Sequence, residues 1–175
     1  MNNLIKMLSM GVIGRKRGGA ALAHLYGITD FENHVVGSYN NKERGWEFKV
    51  GDSPITVTGL RIFSYLTESK RVNLWNTSGT LLGYAIIPDA THEEWVEGQL
   101  SASVVLSANT NYIVSAYAKE QSFHEIADAE QNATTGEHIS YVTGRFRNVS
   151  NEPNQPTTRT SAGWIHCIVD ILYQV

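Results

Sequence analysis

From Trp46 onward the apolar residues recur with a period of two, and this alternation restricts the chain to half-buried β-strands. Trp46, Phe48 and Val50 fall on one face of the first strand; Glu47 and Lys49 fall on the other, the solvent side. Gly51, Asp52, Ser53 and Pro54 then supply a turn. Ile55 and Val57 open the next strand, but Leu60 and Ile62 continue it on the opposite parity, so a bulge near Thr58 and Gly59 is needed to restore the register. Residues 71–75 read as a strand, Asn76-Thr77-Ser78-Gly79 as a hairpin turn, and residues 80–87 as the returning strand. Two short strands follow at 95–100 and 103–106, and Asn109-Thr110-Asn111 turns the chain into a strand over 112–117.

Residues 118–137 break the pattern. They lack alternation and carry Glu120, Glu125, Asp128, Glu130 and Glu137, which predicts a long acidic loop with a helical turn around 123–129. Residues 138–146 resume as a strand, 147–161 form a polar, proline-containing connection, and 163–175 form the closing strand. There is no internal repeat and no alternation of strands with helices of the kind a nucleotide-binding sheet requires. A chain of 175 residues, 42% hydrophobic and 18% charged, has enough apolar material for one core and little room for two. The expected fold is therefore all-β, an antiparallel two-sheet β-sandwich of jelly-roll type over 38–175, preceded by a basic, glycine-rich docking arm, extended or partly helical, over 1–37.

The arm has its own chemistry. Leu4, Ile5 and Leu8 fall near helical spacing, while Gly11, Gly14, Gly18 and Gly19 keep any helix short. Arg15, Lys16 and Arg17 follow the apolar stretch instead of preceding it, the reverse of a secretory signal, so no signal peptide is expected. No stretch approaches the roughly 20 apolar residues of a membrane span. A net charge of −3 gives no whole-molecule attraction to nucleic acid. A solvated tail is the plain reading of such an arm; folding of the apolar and basic residues onto a neighbouring subunit is the functional one.

Reactive chemistry is thinly represented. Of the six histidines, those in His92-Glu93-Glu94 and His124-Glu125 lack the second histidine four residues later that a helical zinc site uses, so no transition metal and no cofactor are expected. Calcium held by residues 118–137, or near Asp52 or Asp89, is the alternative to a solvated acidic loop. Neither a Gly-x-Ser-x-Gly elbow nor a phosphate-binding glycine loop occurs, and the chain reads as non-enzymatic, with glycan hydrolysis the third-ranked reading. Cys167 sits in an apolar run and reads as a buried structural thiol. Trp46 and Trp75 lie in alternating strands and read as core. Trp95 opens a strand after a polar loop, and Trp164 and His166 share a face with Asp170, so Trp95, Trp164, His166 and Asp170 are the candidate ligand-contacting residues.

Several stretches carry a family resemblance. They are Gly45-Trp46-Glu47-Phe48-Lys49-Val50, Ser53-Pro54-Ile55-Thr56-Val57-Thr58-Gly59-Leu60 and Val72-Asn73-Leu74-Trp75-Asn76-Thr77-Ser78-Gly79-Thr80-Leu81-Leu82, with Val104 to Val114 and Val169-Asp170-Ile171-Leu172 further on. In this order they resemble a family of bacterial β-sandwich domains of unassigned function, found beside glycan-active or cell-surface modules and similar in plan to carbohydrate-binding jelly rolls. The arm and the acidic stretch at 118–137 depart from that plan. A sandwich with a basic arm is similar to small structural proteins of bacteriophage particles, which implies a non-catalytic decoration, collar, tail or fibre component located in the virion. Its expected partners are other virion proteins, held through Leu4, Ile5, Leu8, Arg15, Lys16 and Arg17, and further copies of itself in a homo-oligomer. The alternative is an adhesion module that binds a surface glycan.

Overall fold

The strands predicted by alternation meet across one apolar core. The computed structural model describes residues 34–39, 42–64, 70–89, 94–118, 121–126, 138–149, 153–159 and 168–175. In chain order the strands are β1 (His34–Tyr39), β2 (Lys42–Val50), β3 (Ile55–Ser64), β4 (Lys70–Asn76), β5 (Leu81–Ile87), β6 (Glu94–Leu106), β7 (Asn111–Ala118), β8 (Gln121–Ile126), β9 (Ile139–Asn148), β10 (Thr158–Arg159) and β11 (Val169–Gln174). One sheet runs β10-β9-β2-β7-β4-β5, a second runs β11-β3-β6, and β1 and β8 form a separate two-stranded ribbon. The fold is an antiparallel β-sandwich.

Trp46 and Phe48 of β2, Val72 and Leu74 of β4, and Val114 of β7 face Val57, Leu60 and Ile62 of β3 and Val169 and Ile171 of β11, all buried. Trp46 does more than fill volume. Its indole Nε1 donates to the Val169 carbonyl at 2.6 Å, so a side chain of the six-stranded sheet bonds the backbone of the three-stranded one. The bulge in β3 falls between Val57 and Gly59, where the parity change requires it, and it lets Ile55, Val57, Leu60 and Ile62 all face the core. The turn after β4 is closed by Asn76, whose Oδ1 accepts from the backbone amides of Ser78 and Thr80, and Gly79 takes a φ of 103° that favours glycine. At the sandwich edge β6 passes close against β5, and a side chain on Gly98 would meet the Ile86 carbonyl at 2.9 Å.

Three expectations change. The residues at 95–106 form one strand, not two: Gly59 pairs with Gln99 and Val57 with Val104, so residues 100–103 loop out opposite Thr58 without ending β6. The helical turn expected around 123–129 is replaced over 121–126 by β8, whose backbone pairs with β1 from His34↔Ile126 to Tyr39↔Gln121. That pairing comes from a segment about 80 to 90 residues away in sequence, so no local pattern announces it. The polar connection at 147–161 contains β10, paired with β9 through Thr158↔Phe146 and Arg159↔Arg145. β1 spans the boundary expected at residue 37, while the six arm residues singled out above, and Cys167, lie outside the described residues.

The cross-sheet hydrogen bond generates a prediction. Trp46→Phe keeps an aromatic ring in the core but leaves the Val169 carbonyl without its donor and removes volume. Destabilisation of about 2–4 kcal/mol is expected as a lower urea midpoint at unchanged slope.

Candidate functional site

The outer face of an antiparallel sheet ordinarily meets water, yet on the six-stranded sheet this face holds two buried carboxylates. Glu43 and Glu47 project from β2 on the side opposite Trp46 and Phe48, and are 0% and 2% exposed. The sequence reading placed Glu47 in solvent with Lys49; Lys49 is exposed and Glu47 is not. The difference comes from neighbours on other strands. Arg145 of β9 grips Glu47 Oε2 through both Nε and Nη2, and Asn111 Nδ2 of β7 donates to Oε1 at 2.7 Å. Arg159 approaches the same carboxylate at 3.7 Å from a largely exposed position.

Glu43 heads a longer chain of hydrogen bonds. Trp75 Nε1 donates to Ser115 Oγ at 2.8 Å, and Ser115 Oγ donates in turn to Glu43 Oε1 at 2.5 Å. Asn73 Nδ2 donates to the same oxygen at 2.9 Å, and Arg71 Nε donates to Asn73 Oδ1 at 2.8 Å. The Arg71 guanidinium then lies 4.0 Å from the centre of the Tyr84 ring, a cation–π contact at the 46% exposed end of the network. Burial pushes the Glu43 carboxyl up from 4.5 to about 7, against the opposing pull of the Ser115 and Asn73 hydrogen bonds, the Arg71 charge and the Asn154 backbone.

A strap of residues 153–157, continuing into β10, is tethered to this face. Gln155 Nε2 donates to the Asn76 carbonyl at 2.5 Å, and Arg145 Nη1 donates to the Thr157 carbonyl at 2.9 Å. Arg145 thus holds a buried carboxylate and the strap together. Glycine is required at position 45 between the two glutamates, because a Cβ there would overlap the Val114 carbonyl of β7.

The ligand-contacting residues expected from sequence are only partly placed. Trp164 and His166 lie outside the described residues. Trp95 and Asp170 are brought together through Arg61, which pairs with Asp170 at 2.8 Å and lays its guanidinium 3.9 Å from the Trp95 ring centre. Asp170 has no accessible surface, and Trp95 packs edge-on against Phe63 with centres 5.7 Å apart. Both residues build structure on the outer side of the smaller sheet. Sequence reasoning missed Glu43, Asn73 and Ser115. Their signal is long-range: polar residues at outward parity on three strands that the topology makes neighbours.

A third feature lies at the end of the sandwich, between the β4–β5 and β6–β7 turns. It is an open groove of about 320 Å³ whose lining includes Asn76, Ser78, Leu82, Val104, Val105 and Tyr112.

With this geometry in view, residues 31–165 match the family described as "Domain of unknown function (DUF4082)". The chain belongs to that family. No curated protein matches it. The DUF4082 region takes in every strand from β1 to β10, and therefore the strapped face and the end groove; the arm residues 1–30 and β11 fall outside the matched range.

The raised Glu43 pKa has a consequence for stability. Between the unfolded carboxyl value and about 7 the folded chain keeps a proton that the unfolded chain has released, so rising pH weakens folding across that window and stops doing so above it. The full effect is on the order of 3 kcal/mol. Glu43→Gln, uncharged at every pH, should be more stable relative to wild type at about pH 8 than at about pH 5, read as the difference in urea midpoints.

Proposed function

We propose that this chain is a non-catalytic attachment component of a phage or phage-like particle, anchored by its N-terminal arm and displaying the β-sandwich outward. The observation that carries the reading is the placement of β1. Among the described residues the strand that follows the arm pairs with β8 alone, in a ribbon outside both sheets of the sandwich. An arm joined through such a ribbon can be bound by a neighbouring subunit without pulling on either sheet. The family match supports the same division, since it begins at residue 31 and omits the apolar and basic residues of the arm.

The character of the sheet face also favours display over turnover. Glu43 and Glu47 both lie beneath the surface, and Glu47 is gripped by arginine, so neither is presented to a substrate as a general acid or base in this conformation. Their hydrogen bonds tie four strands, β2, β4, β7 and β9, and through Arg145 the strap into one rigid plate, which suits a module that must survive outside a cell. Homo-oligomers of such components are expected from the symmetry of particles.

Removal of residues 1–17 tests the proposal. The truncated chain should keep the wild-type β-sheet circular dichroism and cooperative melting but fail to co-sediment with assembled particles. Normal incorporation of a folded truncation would refute anchoring by the arm.

A further inference from the structure

The groove at the end of the sandwich borders the strapped network, which it meets at Asn76, whose carbonyl accepts from Gln155, and at Asn111, which donates to Glu47. We propose that it binds a neutral polyhydroxylated ligand, a sugar unit of a surface glycan; this rests on the attachment reading and supplies the chemistry of one attachment contact.

The floor is apolar and fixed. Tyr112 is nearly buried, its hydroxyl accepts from the Ser107 amide at 3.0 Å, and its ring stacks obliquely on Phe48 with centres 6.0 Å apart. Leu82 and Val104 pack beside it on the core, and Val105 stands at the groove 69% exposed. An apolar side chain held so far into water at the lip of a concavity is available to the C–H face of a sugar ring.

The rim is polar, and its hydrogen-bonding capacity is only half used. Asn76 Oδ1 accepts from Ser78 N, Ser78 Oγ and Thr80 N, which fixes the amide plane and leaves its Nδ2 donor with no acceptor among the described residues. Asn111 is arranged the other way round: its Nδ2 donates to Glu47, and its Oδ1 accepts from no described group. The Thr77 hydroxyl, in an exposed turn, has no described partner. The groove therefore presents a fixed amide donor, a fixed amide acceptor and a hydroxyl around an apolar floor. Each sugar hydroxyl both donates and accepts, and each ring carries a C–H face, so a sugar meets every one of these groups.

Charge and size narrow the class. Among the described residues the groove is lined by Asn, Thr, Ser, Leu, Val and Tyr, with neither a cation to hold a phosphate or sulfate nor a carboxylate to hold an amine. Its volume of about 320 Å³ lies at the small end of ligand sites, roughly 300–1,000 Å³. On one side the β4–β5 turn closes a hairpin through the Asn76 side chain; on the other the β6–β7 turn crosses from one sheet to the other and is held by Ser107 N on the Tyr112 hydroxyl and by Asn109 N on the Gly51 carbonyl, so the groups are positioned before the ligand arrives.

The test is a backbone-amide NMR titration of the full chain with neutral disaccharides of glucose, galactose and N-acetylglucosamine, each to millimolar concentration. At least one should shift the amides of Thr77, Ser78, Val105 and Asn111 and leave those of Tyr84 and Trp95 in place. Val105→Trp, which fills the lip, and Thr77→Ala, which alters only an exposed turn hydroxyl, should each weaken that binding, the first about tenfold or more, at unchanged melting temperature. The proposal is overturned by shifts centred on Tyr84 or Trp95, by wild-type affinity in a folded Val105→Trp chain, or by silence across all three sugars. Particle incorporation of the arm truncation reads the attachment role separately, so failure of one leaves the other standing.

Discussion

The indole of Trp46 joins the two halves of this protein. Two sheets pressed together by apolar side chains alone can slide, because the hydrophobic effect has no direction. A hydrogen bond from a buried side chain on one sheet to a backbone carbonyl on the other has a direction, and in a dry core it is costly to leave unmade. The 2.6 Å bond to Val169 sets where β2 crosses β11. The bulge in β3 at Thr58, seen in its pairing with both β6 and β11, then adjusts the smaller sheet so that its apolar residues keep facing β2, β4 and β7. Everything on the outer faces inherits that registration.

The most consequential inheritance is the polar plate on the outside of the larger sheet. A carboxylate on a sheet surface normally remains hydrated. Here Arg145, Asn111, Ser115 and Asn73 replace the water around Glu43 and Glu47, and the strap over 153–157 is tethered across them. The two glutamates respond differently. Glu47 meets a guanidinium, which gives two charge-assisted hydrogen bonds to Oε2 while Asn111 serves Oε1. Glu43 meets neutral donors and stays easy to protonate near neutral pH. A face organised in this way is stiff and closed, unlike the open groove between the β4–β5 and β6–β7 turns.

Much of the sandwich was legible in the alternation. The β4–β5 hairpin with its Asn76 to Gly79 turn, the bulge beside Thr58, the turn into β7 and the burial of Trp46 are all present as read. These features depend on neighbours within a few residues, where side-chain parity and turn chemistry carry the information. The failures share the opposite property. β8 exists because β1 lies beside it, β6 continues through residues 100–103 because β3 spans the gap, and Glu47 is buried because Arg145 reaches it from β9. The candidate site was less legible than the fold for the same reason. Of the four residues chosen for ligand contact, Trp95 and Asp170 are joined through Arg61, and no local pattern shows that Arg61 stands between them.

The sequence by itself determined the class of fold, because period-two alternation broken by turn residues can bury its apolar face only as packed antiparallel sheets. It also marked out an apolar and basic stretch at the N-terminus distinct from the alternating region. Only the tertiary structure decided which polar residues would be buried, how the Glu43 carboxyl would titrate, and where a concave surface would remain. Those properties belong to pairs of residues tens to more than a hundred positions apart, and a chain acquires them only when loop closure brings the strands into register.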